Sequence, residues 1–320
     1  MLRRYFLFLN FLLLSMRCFS GGNLLLDARL KKDEGTNLYI FGEEINYKYD
    51  LPAGSFFLQA LNQSPNGERS DFRFGEAWFT INFADNALIV KVGRFPLPFA
   101  LNAVYDPHFQ VIQPLYQQSL GLRLDEGASL SGRYGPYSFI LSASHGTGGS
   151  KSEKTTYILR VERAIPENPF LKGNFGFSLL SGRLPQVDTK GFTNKTIDKS
   201  RIGLDFQALM GSLRLLGEAH IGGDKDINVG GFFILAELPL RNKIDFLFSW
   251  RSFNFDLDKG KEARIGGTGL SWDIDKHNKL SFIYQRDFFE KENILTLQLL
   301  TSYPLEEIGK LKRKMFSERR

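Results

Sequence analysis

The chain has 320 residues, 14% of them aromatic, with 30 Phe, 31 Gly and a mean hydropathy of −0.21. Beyond the N-terminus no run approaches the roughly 18 apolar residues of a membrane-spanning helix, which excludes a helical membrane protein. The formal charge of +6 resides at the ends: Arg3, Arg4 and Arg17 in front, and a basic stretch over 305–320 behind. The body between them is near neutral, so the pI of 9.2 is no argument for a nucleic-acid partner.

Arg3 and Arg4 precede an apolar run over 5–16, and Cys18 and Ser20 stand at the −3 and −1 positions before Gly21. This charge, apolar core and small-residue site predict a secretory signal peptide over 1–20. Arg17 breaks the core, which is short for an anchoring helix, and it also departs from a lipoprotein signal at Cys18. Because Cys18 is the single cysteine, the exported chain would carry no disulfide.

Period-two alternation, the primary strand signal, then runs through nearly the whole chain. Leu24, Leu26, Ala28 and Leu30 alternate with Asp27, Arg29 and Lys31, and Ile45, Tyr47, Tyr49 and Leu51 with Glu44, Asn46, Lys48 and Asp50. Ala77, Phe79, Ile81 and Phe83 oppose Glu76, Trp78, Thr80 and Asn82. Further on, Tyr157, Leu159 and Val161 oppose Thr156, Arg160 and Glu162, and Ile202, Leu204 and Phe206 oppose Arg201, Gly203 and Asp205. The pattern closes with Phe246, Phe248 and Trp250 against Asp245, Ser249 and Arg251, and with Leu295, Leu297 and Leu299 against Thr296 and Gln298. Several segments reach about ten residues, the length of a tilted strand crossing a bilayer, whereas sandwich strands run about five or six.

Connection lengths also alternate. Short turns are expected at 52–54, 84–86, 135–136, 211–212, 239–242 and 275–278, with a larger one at 166–172. Longer polar connections are expected at 62–70, 96–118, 146–154, 184–200, 222–227 and 254–262. Short turns on one side and long loops on the other are the asymmetry of outer-membrane barrels. The sequence therefore predicts an all-β, transmembrane, antiparallel up-and-down barrel over 21–303, of about sixteen strands with fourteen to eighteen open. A basic periplasmic tail is expected over 304–320.

The stretch Phe74-Gly-Glu-Ala-Trp-Phe-Thr-Ile-Asn-Phe83, followed by Leu88-Ile-Val-Lys-Val-Gly-Arg-Phe-Pro-Leu-Pro-Phe99, resembles a hairpin of phosphate-selective-porin-like proteins, within the wider general porins. The segments 121–132 and 137–146 are similar to that family's next hairpin. The resemblance implies a sixteen-stranded channel for which a homotrimer is one assembly. Such barrels end on a terminal aromatic residue, whereas here a tail follows the last strand near Tyr303.

In a pore, inward polar positions and infolded loops set selectivity. On the polar parity stand Lys91, Arg123, Arg133, Arg160, Arg201, Arg214 and Arg251, matched by Glu76, Asp125, Glu162, Asp205, Glu218 and Asp245. Their near-equal numbers favour a charge-paired lumen wall over an anion path. The loop 96–118 contains Pro96, Pro98, Pro107 and Pro114, which forbid ladder pairing, and is too apolar to stand in water. It is expected to fold into the lumen as a constriction, presenting Asp106 and His108 among aromatics such as Tyr105 and Tyr116. No metal, cofactor or catalytic set is predicted, and the expected partners are outer-membrane lipid and small solutes or ions. Alternatives are a non-conducting structural or adhesion barrel, and an outer-membrane hydrolase suggested by the neighbours Ser144 and His145. Gly146-Thr-Gly-Gly-Ser-Lys-Ser152 lacks the context of a phosphate loop, and Asp224, Asp226, Asn228, Asp256 and Asp258 read as solvated turns rather than calcium ligands.

Overall fold

Alternation of this kind closes on itself in a computed structural model of the chain. The structure describes residues 22–32, 36–51, 53–63, 71–84, 87–109, 111–148, 154–166, 170–188 and 191–304. The predicted signal peptide and the tail beyond Pro304 lie outside them. The strands are β1 Gly22–Lys32, β2 Thr36–Leu51, β3 Gly54–Gln63, β4 Asp71–Phe83, β5 Leu88–Pro96, β6 Leu124–Tyr134, β7 Tyr137–Ser144 and β8 Thr156–Ala164. They continue as β9 Leu171–Asp188, β10 Gly191–Met210, β11 Leu213–Asp224, β12 Ile227–Arg241, β13 Ile244–Asn254, β14 Glu262–Asp273, β15 Asn278–Asp287 and β16 Asn293–Pro304. Each strand pairs antiparallel with its sequence neighbours, and β1 pairs with β16 from Asn23↔Pro304 to Lys32↔Leu295, so the barrel has no free edge.

The pleat sorts the side chains. On the outside, Ile202, Leu204, Phe232, Phe248, Phe282 and Leu299 are exposed, an apolar surface that lipid covers. Tyr134, Tyr137 and Phe170 stand exposed at the short-turn end, where aromatic rings mark a membrane interface. On the inside, Asp27, Ser178, Asp205, Glu218, Ser249 and Gln298 are buried. That polar residues are buried and apolar ones exposed inverts the soluble pattern, as a barrel in lipid requires.

Two of the expected long connections are strand instead. The ladder of β9 and β10 runs from Met210↔Leu171 to Thr196↔Pro185 and, past an irregularity between Phe192 and Thr196, resumes at Phe192↔Val187 and Gly191↔Asp188. The ladder of β11 and β12 likewise reaches Asp224↔Ile227, leaving only 225–226 as a turn. The polarity that reads as loop belongs to a projecting ribbon whose polar groups pair across it, as Arg183 Nε does with Thr196 Oγ1 at 3.0 Å. Its apolar residues Leu184 and Val187 are buried. A smaller shift moves the 239–242 turn to 242–243, because β12 continues to Arg241. Length sorting thus survives at 64–70, 97–123, 145–155 and 255–261, and fails on the other long-side connections.

The lipid-facing assignment is testable. Leu204→Arg on the outer face of β10 should cost about 2–4 kcal/mol near mid-bilayer, and Leu204→Ala much less. Equilibrium refolding into lipid vesicles from urea measures both, and equal small effects would contradict the assignment.

Candidate functional site

The connection between β5 and β6, residues 97–123, is the longest in the barrel. Its prolines prevent pairing, and it holds only a 3-10 turn, Ala100–Ala103, and one short helix, α1 Tyr116–Ser119. Leu97, Phe99, Ala100, Leu115 and Leu120 are fully buried. They enter two apolar clusters. In one, Leu101, Ile112 and Leu115 pack on Leu216, Phe233, Leu235, Leu247, Phe253 and Ile283 of β11, β12, β13 and β15. In the other, Leu97, Phe99, Tyr105, Tyr116 and Leu120 pack with Ile158, Leu180 and Leu184 of β8 and β9.

Burial of this loop obliges its backbone groups to find partners, and wall side chains supply them. The Glu218 carboxylate accepts the N–H of Leu101 at 3.0 Å and also that of Leu115. Ser178 Oγ accepts the Ala100 N–H at 3.1 Å, and Arg160 donates to the Ala100 carbonyl at 3.1 Å. Arg251 donates to the Gln113 carbonyl and Lys199 to the Ser119 carbonyl, both at 3.1 Å, while Arg201 binds Ser119 Oγ and its carbonyl at 3.2 Å. Other anchors lie on β1, β2 and β16, half the ring away from β9. There Arg29 donates to the Pro107 carbonyl at 2.6 Å and Gln298 to the His108 carbonyl at 2.8 Å. The His108 ring lies between two buried carboxylates, with Nδ1 3.1 Å from Asp27 and Nε2 3.0 Å from Glu44.

Most charges singled out in the sequence meet a partner. Arg160 forks onto Asp205 and reaches Glu162 at 2.9 Å. Arg123, which precedes β6 rather than lying on a strand, bonds Glu76 at 3.3 Å and the Tyr105 carbonyl at 3.2 Å. Arg201 pairs with Asp224, so that carboxylate is already neutralised and is not available to a calcium ion. Asp125 accepts the N–H groups of Gly146 and Gly148, so the glycine turn cradles a carboxylate of the chain itself. Arg214 pairs with Glu237 at 3.0 Å near the short-turn rim, where Arg133 is exposed. Lys91 Nζ sits 4.4 Å over the Trp78 ring, which stacks on Phe57. Among the described residues, Asp245 has no ion pair or hydrogen bond through its carboxylate. Ser144 Oγ is buried without a partner and His145 is exposed, so the two do not form a dyad.

In the loop, Tyr105 and Tyr116 are buried with ring centroids 5.6 Å apart. Asp106 accepts the backbone N–H of His108 at 2.8 Å. Where the sequence expects His108 to face the passage, the ring is buried against β1 and β2. Sequence reasoning also missed Asp27, Arg29, Glu44, Ser178, Lys199 and Gln298 as anchors. One signal could have found the footprint: Ile158, Phe233, Leu235, Leu247 and Ile283 are large apolar residues on the polar parity, and all five belong to the loop clusters.

Burial lowers the pKa of His108, but the hydrogen bonds to Asp27 and Glu44 outweigh it and raise it to about 9. The folded value lies above the ordinary one, so this contact stabilises the loop fully below about pH 6.5 and loses its effect as pH rises through 9. Asp106 acts on the same ring, and Arg29 binds the Asp27 carboxylate that holds it. Proteolytic nicking of the loop should therefore increase between pH 7 and pH 10 in the native protein, and His108→Gln should remove that pH dependence. A second test concerns the wall: Arg160→Met strands buried Asp205 and should cost about 3–5 kcal/mol, read from urea unfolding in vesicles.

No protein-family description matches the chain, and no curated protein resembles it in sequence. Solved structures do resemble it in fold. An anion-selective porin from Comamonas acidovorans superposes with a TM-score of 0.65 at 12% identity, covering 88% of this chain and 98% of that one. OprB of Pseudomonas putida, in a high-pH structure, gives 0.63 at 11% identity, covering 88% and 93%. The outer membrane channel DcaP of Acinetobacter baumannii gives 0.61 at 10% identity, covering 88% and 96%. These likenesses and the apolar exterior define the class: the chain has the fold of a sixteen-stranded outer-membrane β-barrel of Gram-negative bacteria.

Proposed function

We propose that the chain is a porin-like channel for passive diffusion of small hydrophilic solutes or ions, with its passage narrowed by the loop 97–123. The observation that carries this reading is the loop's anchoring at both sides of the ring, by Glu218 and Arg160 on one side and Asp27 and Glu44 on the other. A segment held at both walls sets a bore. Among the fold neighbours are an anion-selective porin and an outer membrane channel, which support the channel reading in general terms. The wall charges are largely consumed in pairs or in holding the loop. On this reading selectivity comes from the few left over, Lys91, Arg133 and Asp245, and phosphate specificity rests on the sequence resemblance alone. The chain carries out no chemistry on its solutes in this reading, and a homotrimer is the proposed assembly.

Reconstituted in planar bilayers, the protein should give discrete ohmic steps. Glu218→Ala frees two loop amides and should raise or destabilise the conductance level. A second reading, a closed structural barrel, has its own support in the two apolar clusters that pack the loop against the wall. Absence of conductance from protein shown to be folded in the bilayer would select it.

A further inference from the structure

The lumen wall is not evenly lined. The inward positions of β14 include Gly267, Gly269 and Ser271, which pair across the ladder with Ser249, Leu247 and Asp245 on one side and with Gln285, Ile283 and Ser281 on the other. Neighbouring side chains close over the two glycines, Ser249 and Gln285 over Gly267 and Ile283 over Gly269, and of the three only Ser271 lines a hollow in the wall. The hollow measures about 380 Å³ including its solvent-open part, and opens beneath the loop toward the short-turn mouth. Its roof is Phe109, Val111 and Ile112, and its apolar sides are Leu235, Leu247 and Ile283.

Polar groups converge on one end of it. Asp245, Ser271 and Ser281 form a single row across β13, β14 and β15. Ser271 is 2% exposed, and its Oγ has no hydrogen-bond partner in the protein. The other charges that border the hollow are engaged: Glu237 with Arg214 at 3.0 Å, and Lys279 with Asp273 at 3.8 Å. The Asp245 carboxylate is thus the charge left uncompensated, beside an orphaned hydroxyl and an apolar cleft.

We propose that this hollow is a binding site for amphipathic organic cations, compounds with a primary ammonium on a small apolar or aromatic body. The ammonium pairs with Asp245 and donates a further hydrogen bond to Ser271 Oγ, and the body lies under Phe109 against Leu247 and Ile283. An organic anion with the same body meets the Asp245 charge and is repelled. The inference deepens the channel reading, since a solute that dwells here lies on the path through the lumen.

The probes are 2-phenylethylammonium and, as its anionic counterpart, 3-phenylpropionate. Binding to detergent-solubilised, folded protein is followed by saturation-transfer NMR and calorimetry, which need no conductance. In parallel, current block is recorded with each probe added from either side. The ammonium should bind and block more readily from the short-turn side, and the carboxylate should do neither. The near-isosteric Asp245→Asn should weaken ammonium binding at least about fivefold, and Ser271→Ala should weaken it less. Equal affinity for both probes, or an Asp245→Asn protein that is folded by circular dichroism yet binds as wild type, would overturn the site. Binding without conductance would instead sink the channel reading and leave the site standing.

Discussion

Everything inside this barrel follows from the need to give polar partners to the backbone of a loop that has left water. A buried amide or carbonyl without a partner costs free energy comparable to a lost hydrogen bond, and the loop 97–123 brings many of them inward. The wall answers with side chains that do two tasks each. Glu218 satisfies two loop amides while also receiving His220 at 3.2 Å. Arg160 neutralises Asp205 and caps the Ala100 carbonyl. The charges do not lie loose in the lumen as they would in a simple aqueous tube; they form the frame on which the loop rests.

That use of charge has a consequence for selectivity. A guanidinium whose N–H groups are all directed at a carboxylate or carbonyls presents little of its field to a passing ion. Arg201 is the extreme case, with Asp224, Ser119 and the carbonyls of Ser200 and Gly223 all receiving its donors. Totals of lumen charge therefore say less about permeation than the identity of the unpaired remainder. The remainder is spatially divided, with Lys91 and Arg133 on β5 and β6 and Asp245 on β13 across the ring.

The fold was legible because lipid enforces a strict rule. Every outward position must be tolerable to hydrocarbon, so alternation persists through β4, β8, β10, β13 and β16 and can be read without any partner information. Strand number and closure follow from it. The rule constrains connections far less, and there the reading failed in particular places. A ribbon projecting past the membrane, such as the far ends of β9 and β10, has no outward apolar requirement and looks like loop. Candidate charges were found by parity, but their roles were not, since parity cannot tell that Glu44 and Asp27 on neighbouring strands will clasp His108 more than sixty residues away in the chain.

The same rule explains how fold neighbours at 10–12% identity superpose over 88% of this chain. A barrel in lipid needs period-two patterning and turns, and many sequences meet that requirement with few residues in common. What distinguishes one such barrel from another must then lie where the pattern is broken. Here the breaks are of two kinds. Large apolar residues on the inward parity, Leu216, Phe233, Leu235, Leu247 and Ile283, have no reason to face a water-filled lumen unless something covers them, and the loop does. Small polar residues on β14 and β15, Ser271 and Ser281, do the opposite and line a space the loop roofs without filling. Exceptions of the first kind fix where the loop lies, and exceptions of the second kind fix what room remains beside it.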